Sequence, residues 1–472
     1  MSPCRIMYSS TDKHMLSHSF FSKHLLLYTP VALIGFATFA VFTATGLGEQ
    51  AAAPSSNEAK EWSIGAPIVT YWAGPGYPGA PSLDDKAAIQ IVEGGYNLAW
   101  CHEAELDTAK KHGLRGLLTH PLLDPIALKN PKSKAELDAL IERVRQHPGL
   151  YGYHLIDEPS AASFGELKLL IDYIREKDTA HLFYINLLPT YASNEQLGTP
   201  GNREDAYNAH VQQYVDIVKP RLISYDHYQF TNTNDNSFYF LNLALIRNHA
   251  LAANVPFLNI VQACSWEPTK LASPDSPRVP IAEEMRYLVY TTLAYGAQGI
   301  SYYVYGYPGH VGGMVLPDGT PTPLYHAVKL LNHEFFAIAC ELQSLKSMDV
   351  YHAGNIVPGS VALPSDATFT FDPVVTAPPY DYGQQVKGAL MGTFGTVSGE
   401  SATKSKANPT HVVVVNLDYK TPGTFGVKGP GPLDVFDART GTWNPAEGSQ
   451  VKLDLPAGGG VLVRLRPLAV KP

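Results

Sequence analysis

The chain has 472 residues, too many for one ordinary core and about right for a barrel plus a smaller domain. Acidic residues outnumber basic ones 43 to 35 and the formal net charge is −8; with Lys and Arg only single or paired, nucleic acid is excluded as the main partner. The 4 cysteines include Cys4 near the N-terminus, and Cys101, Cys264 and Cys340 lie too far apart to read as a disulfide framework. No C-x-x-C pair or His/Cys cluster of zinc spacing occurs, so neither a metal nor a cofactor is expected.

Lys23 and His24 precede an apolar stretch, Leu25 to Thr43, followed by Ala51-Ala52-Ala53 and a polar linker. A basic flank, an apolar segment and small residues beyond it read as a secretory signal. The apolar run is also long enough to span a bilayer, so residues 25–44 serve either as a cleaved leader or as a membrane anchor. Residues 1–61 are assigned to this segment and its linker, and the rest is expected outside the cytoplasm, secreted or periplasmic.

From residue 62 short β-rich runs alternate with helical patterns, the signature of parallel α/β architecture. Strands are predicted at 66–72, 96–101, 114–120, 150–156, 182–186, 222–225, 257–262 and 300–305. Each is followed by a helical pattern; the third is expected to open at Ser133, with Glu136 completing a capping box. Eight units over residues 62–346 match a (β/α)8 TIM barrel. The competing doubly wound sheet lacks its Gly-rich phosphate loop. Residues 347–472 hold short β-branched runs such as His411 to Asn416, separated by Gly/Pro turns, and read as a small all-β sandwich. The stretch Ser398–Asn408 reads as an exposed loop.

In such a barrel the chemistry sits at the C-terminal ends of the strands. The side chains predicted there are Trp72, His102, Glu103, Asp157, Glu158, Asn186, Asp226, Tyr228, Gln262, Trp266, Glu267 and Tyr303. Carboxyl groups beside large aromatics suit a carbohydrate: rings stack on the aromatic faces, and a carboxylic acid can protonate a glycosidic oxygen while a second carboxylate acts as nucleophile or base. Glu158 suits the acid role, because it follows an apolar strand and precedes Pro159, and desolvation there raises a carboxyl pKa.

The Glu158-Pro159 step after the fourth strand resembles the Asn-Glu-Pro acid/base motif of retaining (β/α)8 glycoside hydrolases. Tyr295-Gly296-Ala297-Gln298-Gly299-Ile300-Ser301-Tyr302-Tyr303 resembles the passage into the eighth strand of family 42-type β-galactosidase barrels of clan A, which also carry a β-sandwich. The resemblance implies a glycosidase with Glu158 as acid and a second glutamate ending strand seven. The chain departs from it twice. Asp157 stands where Asn is usual, and Gln262 stands where the nucleophile is expected, with Glu267 five residues beyond.

Asp226, ending strand six, is the rival second carboxylate, and Asp157 beside Glu158 also suits substrate assistance by a 2-acetamido group. Asp157, Trp72, His102, Glu103, Asn186, Tyr228, Gln262, Trp266 and Tyr303 are the expected substrate contacts. Two other readings stand beside this one: a non-catalytic sugar-binding protein on a decayed barrel, and a metal-dependent hydrolase using His102, Glu103, His120 and Asp226. Oligomeric state, sugar identity and linkage are not encoded in any motif.

Overall fold

A computed structural model describes residues 61–396 and 408–467. The leader and most of the Ser398–Asn408 stretch lie outside the described residues, and no described helix is long and apolar enough to cross a membrane.

Eight parallel strands form one sheet: β1 (Ile68–Val69), β2 (Leu98–Cys101), β3 (Arg115–Leu118), β4 (Leu150–Asp157), β5 (Leu182–Leu187), β6 (Ile223–His227), β7 (Phe257–Gln262) and β8 (Gly299–Tyr303). Their order is β1-β8-β7-β6-β5-β4-β3-β2, so β1 and β2 sit at the two ends of the ladder. Asn97 brings those ends together. Its backbone N–H donates to Val69 O at 3.0 Å, and its side chain accepts from Val69 N at 3.1 Å and donates to Pro67 O at 2.9 Å. Thr70 Oγ1 adds a bond to Leu98 O at 2.9 Å. A buried side chain thus supplies part of the pairing that a two-residue strand cannot. The result is the (β/α)8 barrel that the alternation of elements predicts.

The helices of the eight units are α1 (Asp85–Glu93), α2 (Leu106–Lys111), α3 (Pro131–Val144), α4 (Phe164–Arg175), α5 (Arg203–Gln213), α6 (Tyr239–Ala253), α7 (Ala282–Ala294) and α8 (Pro323–Leu342). Several starts are written in side chains: Asp84 accepts from Ala87 N, Asn202 from Asp205 N, and Thr322 from Tyr325 N. The expected capping box at Ser133 is replaced by an earlier cap. Asn130 accepts from Lys132 N at 2.8 Å, and Pro131 takes the first helical position, where its fixed φ suits the helix and its missing N–H costs nothing.

The barrel interior is aromatic toward its upper end. Trp72, Trp100, His154 and Tyr184 pack edge to face or tilted, with ring centroids 4.8 Å apart for Trp72–Trp100 and 4.7 Å for Trp100–His154. Trp100 Nε1 is satisfied by Tyr71 O at 2.6 Å. Of this layer, Trp72 also lines the cavity above it.

Beyond α8 the chain is antiparallel. The strands are β9 (Lys346–Gly354), β10 (Thr370–Phe371), β11 (Gly388–Thr396), β12 (Asn408–Asn416), β13 (Gly423–Lys428), β14 (Leu433–Asp437), β15 (Thr442–Pro445), β16 (Gln450–Leu455) and β17 (Gly460–Leu465). They form a six-stranded sheet, β9-β11-β12-β17-β14-β15, against a three-stranded one, β10-β13-β16. The run Val412 to Val415 has a physical reason. Val412 and Val414 pack inside the sandwich, whereas Val413 and Val415 belong to the barrel's core, so both faces of β12 are covered. The sandwich meets α7 closely: a Cβ at Gly392 would lie 1.9 Å from Ala294 O, which only glycine allows. Tyr419 donates to Asp235 Oδ2 at 2.7 Å, and Arg247 to Met348 O at 2.7 Å, fixing the contact on either side. Cys101 and Cys264 are buried free thiols.

Candidate active site

A cavity of about 290 Å³ opens at the C-terminal ends of the strands. β4 brings Asp157 and Glu158 to it, β5 brings Asn186, and β6 brings Asp226 and, just beyond, Tyr228. Trp72 forms the floor; Trp266 and Tyr303 close one side, and the segment after β5, with Tyr191 and Gln196, closes another.

Register explains why these groups meet. Asp157 pairs with Asn186, and Asn186 with Ser224, so three neighbouring strands end at one level. Asn186 Nδ2 donates to Asp157 Oδ1 at 3.1 Å and to Asp226 Oδ1 at 2.9 Å. Its own Oδ1 accepts from Ser224 Oγ at 3.1 Å, and that hydroxyl lies 2.7 Å from the Tyr184 hydroxyl. This chain fixes which way the amide points: nitrogen toward the carboxylates, oxygen toward the hydroxyl.

Glu158 follows with φ +47°, the left-handed region, which costs a non-glycine residue roughly 1–2 kcal/mol. Its N–H donates to Asn186 O at 2.9 Å and Pro159 behind it is buried, so the turn is held from both sides. The turn sends the chain away from the sheet just after Asp157 and leaves both side chains at the cavity.

Burial raises the pKa of all three carboxyl groups, and their neighbours add to the rise at Asp157 and Asp226. Asp226 is 1% exposed and is pushed well above the ordinary carboxylate range by burial, then by the charges of Glu158 and Asp157, against which Asn186 pulls down. Its Oδ2 has no hydrogen-bond partner. Asp157 is pushed up to about 7 by the protein around it and then by Glu158, with Asn186 opposing. Burial also raises Glu158, while its interaction with Asp226 lowers it. Solvent reaches the Asp157 and Glu158 side chains through the cavity mouth even though protein walls surround them, so burial acts most fully on Asp226. Near neutral pH the trio cannot be fully ionised, and protons remain available in the cavity.

Tyr303 is joined to His310. Its hydroxyl lies 2.8 Å from His310 Nε2, and His310 Nδ1 lies 3.1 Å from Pro308 O. A carbonyl only accepts, so Nδ1 donates to Pro308 O and carries a proton.

Of the predicted site residues, Trp72, Asp157, Glu158, Asn186, Asp226, Tyr228, Trp266 and Tyr303 line this cavity, and four do not. Glu103 is held by Arg143 of α3, at 2.6 Å and 2.9 Å, and His102 Nδ1 sits 3.0 Å from Glu105, outside the cavity. Gln262 is fully buried and pairs with the chain after β6: it accepts from Phe230 N at 2.8 Å and donates to Phe230 O at 2.9 Å and Arg278 O at 2.8 Å. Glu267 turns outward to Ser276 and Lys270, and those bonds hold its pKa below the usual range. Glu267 therefore does not line the cavity, whereas Asp226 and Asp157 stand there beside Glu158. Among the described residues no group of three or more His, Cys, Asp or Glu side chains is placed to hold a metal ion.

Sequence reasoning missed Tyr191 and Gln196. They belong to the segment between β5 and α5, where Ser193 caps the one-turn helix Asn194–Leu197 through its bond to Gln196 N at 3.2 Å. The Ser-x-x-Gln spacing was the available signal: it marks a folded loop at the active end of the barrel.

No protein-family model matches the chain, and no curated protein matches it. The likeness to family 42-type barrels therefore rests on short motifs alone. Among solved structures, an endo-β-1,4-mannanase from Thermotoga petrophila aligns with 10% identity and a TM-score of 0.41 over 84% of this chain and 98% of its own. A GH51 arabinofuranosidase from Xanthomonas axonopodis pv. citri aligns with 9% identity and a TM-score of 0.41 over 86% and 95%. A GH99 endo-α-mannosidase from Bacteroides thetaiotaomicron aligns with 13% identity and a TM-score of 0.37 over 56% and 83%. Likenesses this distant carry no argument about chemistry, and the barrel rests on the strand order itself.

Proposed function

We propose that this chain is an extracytoplasmic glycoside hydrolase, with Glu158 and Asp226 as the catalytic pair. The observation that carries the reading is the meeting of Asp157, Glu158 and Asp226 around one amide, Asn186, in an aromatic-walled cavity at the active end of the barrel. Hydrolysis of an acetal needs a proton for the departing oxygen and a negative group near the developing oxocarbenium charge, and this cavity holds both.

Glu158, reached from the cavity mouth, donates the proton. Asp226, buried and bonded to Asn186, is the second carboxylate. The two carboxyls perturb each other's ionisation, as groups that share one cavity do. Asp157 orients the substrate with Asn186.

A non-catalytic sugar-binding protein is the second reading, motivated by the outward turn of Glu267 and the structural role of Gln262. Incubating the purified chain with a panel of oligosaccharides and reading reducing-end release separates the two. Turnover of any member supports the hydrolase, and binding without turnover across the panel supports the alternative.

A further inference from the structure

The cavity is unusual in its charge. Three carboxyl groups line it and, among the described residues, no Lys, Arg or His does. The groups that perturb Asp157, Glu158 and Asp226 are other carboxyls and amides, with no cation among them. Asp226 supplies an independent pointer to a ligand: it is 1% exposed, it lines the cavity, and its Oδ2 has no donor. A buried carboxylate oxygen left bare costs about 1–3 kcal/mol or more, which a bound donor would recover.

The facing wall is built for the same charge. Tyr228, Trp266 and Tyr303 form one aromatic cluster, with ring centroids 4.8 Å apart for Tyr228–Trp266 and 5.0 Å for Tyr228–Tyr303. The faces of such rings attract cations and present no positive group to an anion. A uronate or sulfated sugar would bring like charge into this space. A neutral sugar offers a hydroxyl to Asp226 but does not relieve the repulsion that opposes ionisation of the trio. An ammonium group brings three donors and a positive charge together.

We propose that the sugar taken by this cavity carries a protonated primary amine, as in a de-N-acetylated hexosamine unit, with the ammonium held between Asp226 and its neighbouring carboxylates. The assignment rests on the carbohydrate reading given above and narrows it to a substrate class.

The test is direct binding to the full chain, by calorimetry or ligand-observed NMR, at about pH 7, where Asp157 is partly ionised and below the ~7.7–8.0 of an α-amino group. The probes are glucosamine and galactosamine, their N-acetyl derivatives, glucose and glucuronate. The amine sugars should bind at least roughly tenfold tighter than their N-acetyl and neutral counterparts, which is ~1.4 kcal/mol. Glucuronate should bind weakest. The preference should shrink in Asp226→Asn and in Glu158→Gln, with both variants checked for a native melting transition. Equal or weaker binding of the amine sugars to the wild type, or a preference undiminished in both variants, overturns the proposal. If neutral or N-acetyl sugars bind and amine sugars do not, only the proposal falls. If no sugar binds at all, the carbohydrate reading falls with it.

Discussion

The side-chain amide of Asn186 donates to Asp226 Oδ1 at 2.9 Å, linking the end of β5 to the end of β6. The same nitrogen reaches Asp157 on β4, so one amide orients carboxyl groups from both of its neighbouring strands. Replacing Asn186 by Ala leaves two carboxyls in the cavity without their shared donor. We expect kcat to fall by roughly 10–100-fold, as when a group orienting a catalytic ligand is removed, with a smaller change in KM. Steady-state kinetics on whichever oligosaccharide is turned over reads both.

The carboxyl trio also predicts a pH dependence of stability. Asp157 has a folded pKa of about 7, above its ordinary value. The folded state therefore binds more protons than the unfolded chain between those two values, and stability falls as pH rises through that window. The contribution is fully present below about pH 4 and is lost as pH passes about 7. Asp157→Asn cannot ionise and escapes this loss. Its melting temperature should match the wild type near pH 4 and exceed it by a few degrees at pH 8; a constant offset at both pH values would contradict the repulsion described here.

Backbone strain at Glu158 gives a test independent of chemistry. Its φ of +47° is tolerated by glycine at no steric cost. Glu158→Gly should be more stable than Glu158→Ala by about 1 kcal/mol, because both lose the carboxyl but only one is relieved of strain. Chemical denaturation of the two variants makes the comparison; an alanine variant as stable as the glycine one would argue against a strained turn.

The strand-seven residues separate structure from sequence expectation. Glu267→Gln should keep activity within about twofold, since its carboxyl is engaged with Ser276 and Lys270. Gln262→Ala should instead lower stability by about 2–4 kcal/mol, as it strips partners from the buried Phe230 backbone. Loss of turnover in Glu267→Gln with an unchanged melting point would return the nucleophile to that loop.

The contrast between these residues shows what the sequence could report. The alternation of apolar strands and capped helices is local, so the barrel was legible, and so were residues that end strands directly, such as Asp157, Asn186 and Asp226. Gln262 also ends a strand, but its partner is a backbone 32 residues earlier that no periodicity reveals. Glu103 reads as a strand-end acid until Arg143, 40 residues on, takes it up. Tyr191 and Gln196 were hidden because a loop's path, unlike a strand's register, is set by contacts made after folding. The β1–β2 seam was invisible for a related reason: a side chain, Asn97, does work that pattern analysis assigns to backbone.

The central claim is that Glu158 and Asp226 together cleave a glycosidic bond. Its most direct test is reducing-end release from the best oligosaccharide substrate by wild type, Glu158→Gln and Asp226→Asn, with folding confirmed for each. The account predicts turnover by the wild type and a loss of at least ~10³-fold in either variant, the scale of removing a general acid or a principal stabilising charge. Turnover by both variants at the wild-type rate would contradict it.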